Sequence, residues 1–344
     1  MKTNFQSYKL ILKKPSGTSR GVLHKKETFL LKTENNDETE FYGECGIFRG
    51  LSADDRLDYE EKLNWVCQNL YLGLDKLYEE LREFPSIQFG VEQIFKSKEK
   101  HKIYKVKKDV FNPILFPSEF TKGNEGIPIN GLIWMGNEEF MRNQIKEKLN
   151  SGFHCIKLKI GVDWEMEHEI LKNLRNEFSE NDLELRVDAN GGFSFEEAKT
   201  ILQELTDLKI HSIEQPIKSG NIDEMAELCQ ITPMPIALDE ELIGIFYPEE
   251  KKKLLQEIQP QYIILKPSLV GGWRGSEEWI NFANELGINW WITSALESSI
   301  GLNAIAQWTF TLNNPMPQGL GTGGLFENNF PSKLEVRGDN LYFS

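Results

Sequence analysis

The segment that decides the fold is a short run in which apolar and charged side chains alternate, Cys155-Ile156-Lys157-Leu158-Lys159-Ile160. Successive residues of a β-strand face opposite sides of the sheet, so the two isoleucines and the leucine would pack against helices. Lys157 and Lys159 would then project from the other side of the sheet. Because an unpaired buried charge is costly, two inward lysines indicate a functional interior.

Charged residues recur at the ends of the strands that follow. Five of them are separated by 29, 26, 25 and 27 residues, close to the length of one strand, one helix and their loops: Lys159, Asp188, Glu214, Asp239 and Lys266. The C-terminal ends of the strands of a parallel barrel form the rim where catalytic residues lie. The spacing therefore predicts one site built from five consecutive strands.

The chain divides into three predicted regions. Residues 1–120 are predicted to form an α+β capping domain, residues 121–330 a (β/α)7β modified TIM barrel, and residues 331–344 an extended segment that returns toward the capping domain. Alternation of strands and helices predicts a parallel sheet, since parallel strands need helical crossovers. The eight barrel strands are predicted at 127–134, 155–160, 184–188, 212–214, 236–239, 262–266, 290–293 and 318–320.

The composition excludes several classes of partner. A net charge of −14 argues against nucleic acid and anionic membranes, because both favour basic surfaces. No apolar run approaches the roughly 20 residues of a membrane span, and the polar N-terminus predicts no signal peptide. The four cysteines include no C-x-x-C pair and fit a reducing compartment, so a cytoplasmic protein is expected. A homo-oligomer is compatible with the sequence.

Three converging carboxylates suggest a metal site. Near a protein surface, two like charges ~4 Å apart repel by about 4 kcal/mol, and a divalent cation removes that cost. Three carboxylate oxygens leave about three octahedral positions for other ligands, which suits Mg²⁺, with Mn²⁺ as a substitute. The alternative is that each acidic residue is a turn residue or a helix cap. Ser194 already serves as the predicted cap of the helix after Asp188, because Ser194 and Glu197 have the spacing of a capping box. Asn221 and Glu224 have a similar spacing and predict the start of a later helix.

The inward lysines suggest acid–base chemistry. Beside a metal ion and a second ammonium group, the pKa of a lysine falls toward the working pH, which makes the lysine a usable base. A lysine base combined with Mg²⁺ at an ene-diolate is a known enzymatic pattern.

These motifs resemble the enolase superfamily, in particular its muconate-lactonising subgroup, over the whole chain. The corresponding segments are Ile156-Lys157-Leu158-Lys159, Arg186-Val187-Asp188-Ala189-Asn190, Ile213-Glu214-Gln215-Pro216, Leu238-Asp239-Glu240 and Leu265-Lys266-Pro267. Within the subgroup, the Ser-rich segment 292–301 and the stretch Gly319-Leu320-Gly321-Thr322 are similar to the o-succinylbenzoate synthase family.

The resemblance implies a Mg²⁺-dependent hydro-lyase that acts on a small carboxylate. The reaction would be syn dehydration of 2-succinyl-6-hydroxy-2,4-cyclohexadiene-1-carboxylate to o-succinylbenzoate, a step of menaquinone synthesis. By the same resemblance, Lys159 removes the α-proton, Lys266 supports the anion, and the metal on Asp188, Glu214 and Asp239 stabilises the enediolate. Lys157, Asn190 and Glu240 would surround these groups, and Arg186 would form an interior salt bridge or give electrostatic support. The succinyl carboxylate would be held by Thr293, Ser294 and Gly319.

Two alternative functions stay open. The same machinery could serve a racemase, a dipeptide epimerase or a cycloisomerase, although dipeptide epimerases usually carry an acidic D-x-D where this chain has Gly-Leu-Gly-Thr. A non-catalytic barrel that only binds a ligand would be expected to lose at least one of the five charged residues. The N-terminal domain is predicted to close over the barrel mouth, with loop 16–24 as a mobile lid and residues 48–51 lining the pocket, and plain surface loops are the alternative.

Overall fold

The computed structural model describes residues 2–18, 21–35, 37–104 and 110–344. Within these ranges the chain forms a seven-stranded parallel sheet, a three-stranded antiparallel sheet at the N-terminus, and a second three-stranded sheet that contains the C-terminal strands. The largest hydrophobic core surrounds the parallel sheet, and a second core lies in the N-terminal part. None of the helices in these ranges combines the length and apolar character that crossing a bilayer requires.

The N-terminal part packs an antiparallel sheet against three helices. Its strands are β1 (Lys2–Thr18), β2 (Gly21–Glu34) and β3 (Glu40–Cys45), and its helices are α1 (Tyr59–Asn69), α2 (Leu74–Glu80) and α3 (Pro85–Tyr104). Phe29 and Leu31 of β2 reach the N-terminal core, two residues apart, as the period of a strand requires. An antiparallel sheet with helices on one face is the predicted α+β arrangement.

The second part begins with two short strands, β4 (Ile127–Pro128) and β5 (Gly131–Ile133), and continues as alternating helices and strands. The further strands are β6 (Cys155–Lys159), β7 (Glu184–Asp188), β8 (Ser212–Glu214), β9 (Ile236–Leu238), β10 (Tyr262–Leu265) and β11 (Asn289–Ile292). The helices are α4 (Glu138–Asn150), α5 (Trp164–Glu177), α6 (Phe195–Asp207), α7 (Ile222–Ile231), α8 (Pro248–Ile258), α9 (Pro267–Val270), α10 (Gly272–Leu286) and α11 (Ser299–Thr311).

Strands β5 to β11 form the parallel sheet in chain order, as the alternation predicts. Ile156, Leu158 and Ile160 are fully buried in the core that contains the helix residues. Ile264 instead packs with Ala237 and Trp291 in a small separate cluster. The period of two thus separates a helix-facing layer from a barrel interior, which confirms the predicted side-chain directions.

The sheet closes on itself through residues 318 and 319. Gln318 forms a parallel bridge with Ile129 at one edge, and Gly319 forms one with Thr293 at the other. In the described residues the predicted eighth strand is therefore present only as these isolated bridges. The predicted first strand is divided, because β4 pairs with a C-terminal strand while β5 pairs with β6.

The C-terminal segment forms a hairpin of β12 (Leu334–Arg337) and β13 (Asn340–Phe343). Its second strand pairs antiparallel with β4. The Phe343 ring lies 6.1 Å from the Phe120 ring. The domain boundaries at residues 120 and 330, and the return of this segment to the capping domain, stay predictions.

Both predicted helix starts are confirmed, but only one carries the predicted cap. Ser194 and Glu197 form a complete capping box at the start of α6, as predicted. Helix α7 begins directly after Asn221, but the Asn221 side chain accepts no cap hydrogen bond, so the capping-box part of that prediction is wrong. Its side-chain amide instead donates to the Lys218 carbonyl oxygen at 3.2 Å.

A carboxylate of the N-terminal part caps a barrel helix. Glu92 of α3 accepts hydrogen bonds from the backbone N–H groups of Trp273 (2.6 Å) and Arg274 (3.1 Å), at the start of α10. Gly272 permits this approach, because a Cβ atom there would lie 2.1 Å from Glu92 Oε2. Burial raises the pKa of Glu92 to about 8, against the effect of these N–H donors. The contact joins the two parts of the chain through a helix N-terminus.

We expect Glu92→Ala to destabilise the fold. The change leaves two backbone N–H groups buried without an acceptor, so the free energy of unfolding should fall by about 1–3 kcal/mol. Urea denaturation followed by circular dichroism measures this difference. Glu99→Ala removes an exposed carboxylate from the same helix and should cost less than about 0.5 kcal/mol. Equal losses in the two variants would contradict the capping role.

Candidate active site

A cavity of about 380 Å³ lies at the C-terminal ends of the barrel strands. Phe48 and Leu51 line it, which confirms the prediction for loop 48–51. Thr18 and Leu23 of the N-terminal hairpin also line it. Residues 19 and 20 of the predicted cover 16–24 lie outside the described residues. Both parts of the chain therefore form the walls.

Three ammonium groups and three carboxylates form one alternating series of contacts in this cavity. The series runs in the order Lys159, Asp188, Lys157, Glu214, Lys266 and Asp239. Lys159 Nζ donates to Asp188 Oδ2 at 2.5 Å, and Lys157 Nζ lies 3.5 Å from the same oxygen. Lys157 also contacts Glu214. Lys266 contacts Asp239, and its Nζ lies 3.7 Å from Glu214 Oε1. The five charged residues predicted from their spacing are thus brought together.

Sheet register explains this meeting. Lys159 pairs with Asp188 across β6 and β7, and Asp188 pairs with Glu214 across β7 and β8, so these three side chains leave the sheet at one level. Lys159 ends β6 and Lys266 follows β10, with three strands between them. In a closed ring this separation places the two lysines on opposite walls.

The carboxylates hold two of the lysines in the charged form. Burial alone would lower the pKa of Lys157 and of Lys266. For Lys157 the attraction of the Glu214 and Asp188 carboxylates outweighs burial, and for Lys266 the attraction of the Asp239 and Glu214 carboxylates does so. Both pKa values are therefore raised. The predicted lowering of a lysine pKa assumes a metal ion beside the ammonium group and stays a prediction.

The chemistry of the acidic residues fits a divalent cation. Carboxylate oxygens are the ligands that Mg²⁺ prefers. Glu214 Oε1 is buried and accepts no hydrogen bond, and such an oxygen is costly unless a cation engages it. Among the residues described, no three His, Cys, Asp or Glu side chains already lie together as a ligand set. Each of the three carboxylates contacts an ammonium group instead.

Asn190 connects the charged series to Glu240. Its Oδ1 accepts a hydrogen bond from Lys159 Nζ at 2.8 Å, and its Nδ2 donates to Glu240 Oε1 at 3.0 Å. Its backbone N–H donates to Asp188 Oδ1 at 3.0 Å. Asn190 thereby orients both Lys159 and Asp188.

Arg186 lies deeper in the barrel. It donates to Glu184 at 2.6 Å and to the Pro317 carbonyl oxygen at 2.9 Å, and its guanidinium lies 4.5 Å from the centre of the Trp291 ring. Two roles were predicted for Arg186, an interior salt bridge or electrostatic support. The observed contacts are those of an interior salt bridge.

A group of hydroxyls occupies the part of the cavity after β11. The hydroxyls of Ser294 and Thr322 lie 2.6 Å apart, and Thr293 Oγ1 is buried without a hydrogen-bond partner. Gly319 leaves no space for a side chain, because a Cβ atom there would lie 2.4 Å from Thr293 Oγ1. Thr322 was not among the predicted binding residues. Its only signal was its place three residues after Gly319, in the loop that resembles the synthase family.

The Ser-rich motif ties the barrel to the N-terminal sheet. Glu44 of β3 accepts hydrogen bonds from the Ser298 backbone N–H at 2.9 Å, from the Ser298 hydroxyl at 2.5 Å and from the Gly301 N–H at 2.9 Å. Glu297 accepts one from the Ala295 N–H at 2.8 Å, and Ala295 lines the cavity. Lys26 is buried nearby, where desolvation lowers its pKa against the attraction of Glu297 and Glu44. Residues of this motif therefore form hydrogen bonds outside the cavity that hold the wall-forming segment around Ala295 in place.

Comparison with known proteins agrees with this geometry. Residues 140–341 match the family described as Enolase C-terminal domain-like. The o-succinylbenzoate synthase of Desulfotalea psychrophila is 42% identical, over 99% of this chain and 98% of its own. MenC from Desulfotalea psychrophila LSv54 has a crystal structure that superposes with a TM-score of 0.83 and 37% identity, covering 99% of each chain. A dipeptide epimerase from Enterococcus faecalis V583, complexed with Mg and a dipeptide, shares the fold (TM-score 0.80, 99% of each chain) at 18% identity. The chain therefore belongs to the enolase superfamily and, within it, to the o-succinylbenzoate synthase family.

Proposed function

We propose that this chain catalyses the reaction of an o-succinylbenzoate synthase. It removes water from 2-succinyl-6-hydroxy-2,4-cyclohexadiene-1-carboxylate by syn elimination and yields o-succinylbenzoate for menaquinone synthesis. The observation that carries the proposal is the pair of lysines on opposite walls, with three carboxylates along the arc between them. The 42% identity with a synthase along almost the whole chain supports the choice of substrate.

Asp188, Glu214 and Asp239 would hold Mg²⁺, and Glu214 Oε1 offers an oxygen that accepts no hydrogen bond. When bound, the ion supplies two positive charges that stabilise the negative charge developing on the substrate carboxylate. Mn²⁺ also suits carboxylate ligands, so it is proposed as a substitute. The Mg complex of the epimerase from Enterococcus faecalis V583 supports a magnesium site in this fold.

Lys159 carries both proton transfers in the proposed mechanism. In its neutral form, Nζ takes the proton from the ring carbon that bears the carboxylate, and the electron pair of that C–H bond moves into the carboxylate to give an enediolate. When the pair returns, a ring double bond forms and the adjacent C–O bond breaks. The Lys159 ammonium protonates the departing hydroxide, so the product is aromatic and water leaves. One residue suffices because the hydrogen and the hydroxyl leave from the same face.

Lys266 approaches from the opposite wall. Its ammonium group places positive charge on the other face of the enediolate and lies within reach of a cation–π contact with the ring. Asn190 and Asp188 orient Lys159 through contacts of 2.8 and 2.5 Å, so the base and the opposing charge are positioned before substrate enters.

The hydroxyl group after β11 is proposed to bind the succinyl carboxylate. Thr293, Ser294 and Thr322 provide donors there, and Gly319 keeps the corner open. The substrate ring would lie against the apolar part of the wall, which is formed by Leu23, Phe48, Leu51, Trp134, Leu296 and Leu325.

The part of the cavity that contains the hydroxyls of Thr293, Ser294 and Thr322 disfavours the dipeptide epimerase alternative. An amine substituent needs a negative partner when it is removed from water. The cavity-lining residues after position 318 in the described structure carry no carboxylate: Gly319, Gly321, Thr322, Gly324, Leu325 and Val336. Hydroxyl donors suit an anionic substituent better than a cationic one.

Lys159→Ala should reduce kcat by about 10³-fold, because both proton transfers lose their carrier. The assay follows the loss of diene absorbance at saturating Mg²⁺. Lys172→Ala, which removes an exposed lysine of α5, is the control and should keep wild-type kcat. Retained turnover in Lys159→Ala would exclude Lys159 as the base. Racemisation of acylamino acids by a wild-type protein that does not dehydrate would favour the alternative function.

Removal of divalent cations should abolish dehydration. After dialysis against EDTA we expect no measurable turnover, with recovery on addition of Mg²⁺ or Mn²⁺. Asp239→Asn weakens the proposed ligand set, so the Mg²⁺ concentration for half-maximal activity should rise by about tenfold or more. Full activity in the metal-free protein would contradict the proposed role of the three carboxylates.

Ser294→Ala should raise KM by about fivefold, which corresponds to the loss of one hydrogen bond worth about 1 kcal/mol. The value of kcat should stay within about twofold, because the succinyl carboxylate is remote from the reacting carbons. Steady-state kinetics measure both constants, with Ser151→Ala, at an exposed helix end, as the control. A fall in kcat at constant KM would instead place Ser294 in the chemical step.

A further inference from the structure

Gln215 directly follows Glu214 at the end of β8 and is completely buried. None of the roles described so far uses it. Its φ of 42° lies in the left-handed region, which is costly for residues other than glycine. Such a conformation persists only where surrounding contacts enforce it, and it is frequent at functional sites.

The backbone of Gln215 links the strands on either side. Its N–H donates to the Ala237 carbonyl oxygen of β9 at 2.9 Å, and its carbonyl oxygen accepts from the Gly191 N–H, after β7, at 2.7 Å. Gly191 is three residues beyond Asp188, and Ala237 is two residues before Asp239. The loops that carry these two carboxylates are therefore tied to the residue beside Glu214.

The side chain of Gln215 completes this connection. Its Oε1 accepts from the backbone N–H groups of Asp239 (3.2 Å) and Glu241 (3.3 Å). Its Nε2 donates to the Ile217 carbonyl oxygen at 3.1 Å and to Glu241 Oε2 at 3.0 Å. The other carboxylate oxygen of Glu241 accepts from the Gly220 N–H at 2.8 Å. Both lone pairs and both protons of the amide are therefore used.

We infer that Gln215 is a positioning residue that holds Asp188, Glu214 and Asp239 in one arrangement and thereby sets the affinity of this site for Mg²⁺. The inference rests on the proposed metal site. Because every hydrogen-bonding position of its amide is used within the protein, Gln215 acts through the backbone positions of the three carboxylates.

The residue type follows from the geometry. Only a side-chain amide offers an acceptor and two donors at this place. Asparagine tolerates the left-handed backbone but is one methylene shorter, so it cannot reach the N–H groups of Asp239 and Glu241. Glutamate has the reach but carries no donor when ionised, and it would face the Glu241 carboxylate.

The test measures binding of Mg²⁺ alone to the full-length protein by isothermal titration calorimetry. Gln215→Asn should raise the dissociation constant by about tenfold to a hundredfold, as changes to groups that orient metal ligands do. Gln203→Asn, an exposed glutamine of α6, is the matched control and should leave the constant unchanged. Glu241→Gln removes an acceptor of the Gln215 amide without altering Gln215, so it should also weaken binding and serves if Gln215→Asn does not fold.

Exchanging the amide and the carboxylate between positions 215 and 241 distinguishes a positioning role from a general loss of structure. Gln215→Glu should weaken Mg²⁺ binding, and adding Glu241→Gln should recover part of the loss, because the new amide can donate to the new carboxylate. A dissociation constant within twofold of wild type in folded Gln215→Asn and Glu241→Gln would overturn the inference alone. A wild type without Mg²⁺ binding would overturn the inference together with the metal site. A wild type that binds Mg²⁺ but does not dehydrate the cyclohexadiene acid would overturn only the proposed reaction.

Discussion

Three buried carboxylates lie at the ends of the neighbouring strands β7, β8 and β9, and their mutual repulsion must be compensated for the barrel interior to form. Lysines from the flanking strands β6 and β10 provide that compensation in an alternating series of contacts. The same lysines are the proposed proton base and the proposed opposing charge. The charge balance that permits the barrel interior to form would therefore also supply the reactive groups of the proposed mechanism.

The N-terminal part contributes residues to the cavity and is hydrogen-bonded to the barrel. Glu44 binds the backbone behind one cavity wall, and Glu92 caps a barrel helix at a second place. Phe48 and Leu51 add apolar surface to the cavity wall. Apolar walls strengthen electrostatic interactions inside a cavity, because they lower the local dielectric constant.

Three non-glycine residues with left-handed backbone lie at or beside the site. Asn190, Gln215 and Leu296 have positive φ values of 45°, 42° and 61°; Asn190 and Leu296 line the cavity, and Gln215 directly follows Glu214. Hydrogen bonds to backbone groups and to carboxylates hold Asn190 and Gln215. Such conformations persist where surrounding contacts enforce them, and here those contacts adjoin the charged groups that are proposed to act on substrate and metal.

The sequence by itself determined the barrel, the inward lysines and the set of charged residues that meet. A period of two along Cys155–Lys159 identifies the inner face, and in a parallel barrel the order of strands in the chain is also their order in the sheet. The tertiary structure alone decided the bond between Glu44 and Ser298, the pairing of β4 with β13, the place of Thr322, and the loss of the predicted cap at Asn221. Local patterns specify which way a side chain points along its own strand. Contacts between segments far apart in the chain depend on how the ring closes and which donors come within reach, and no local pattern contains that information.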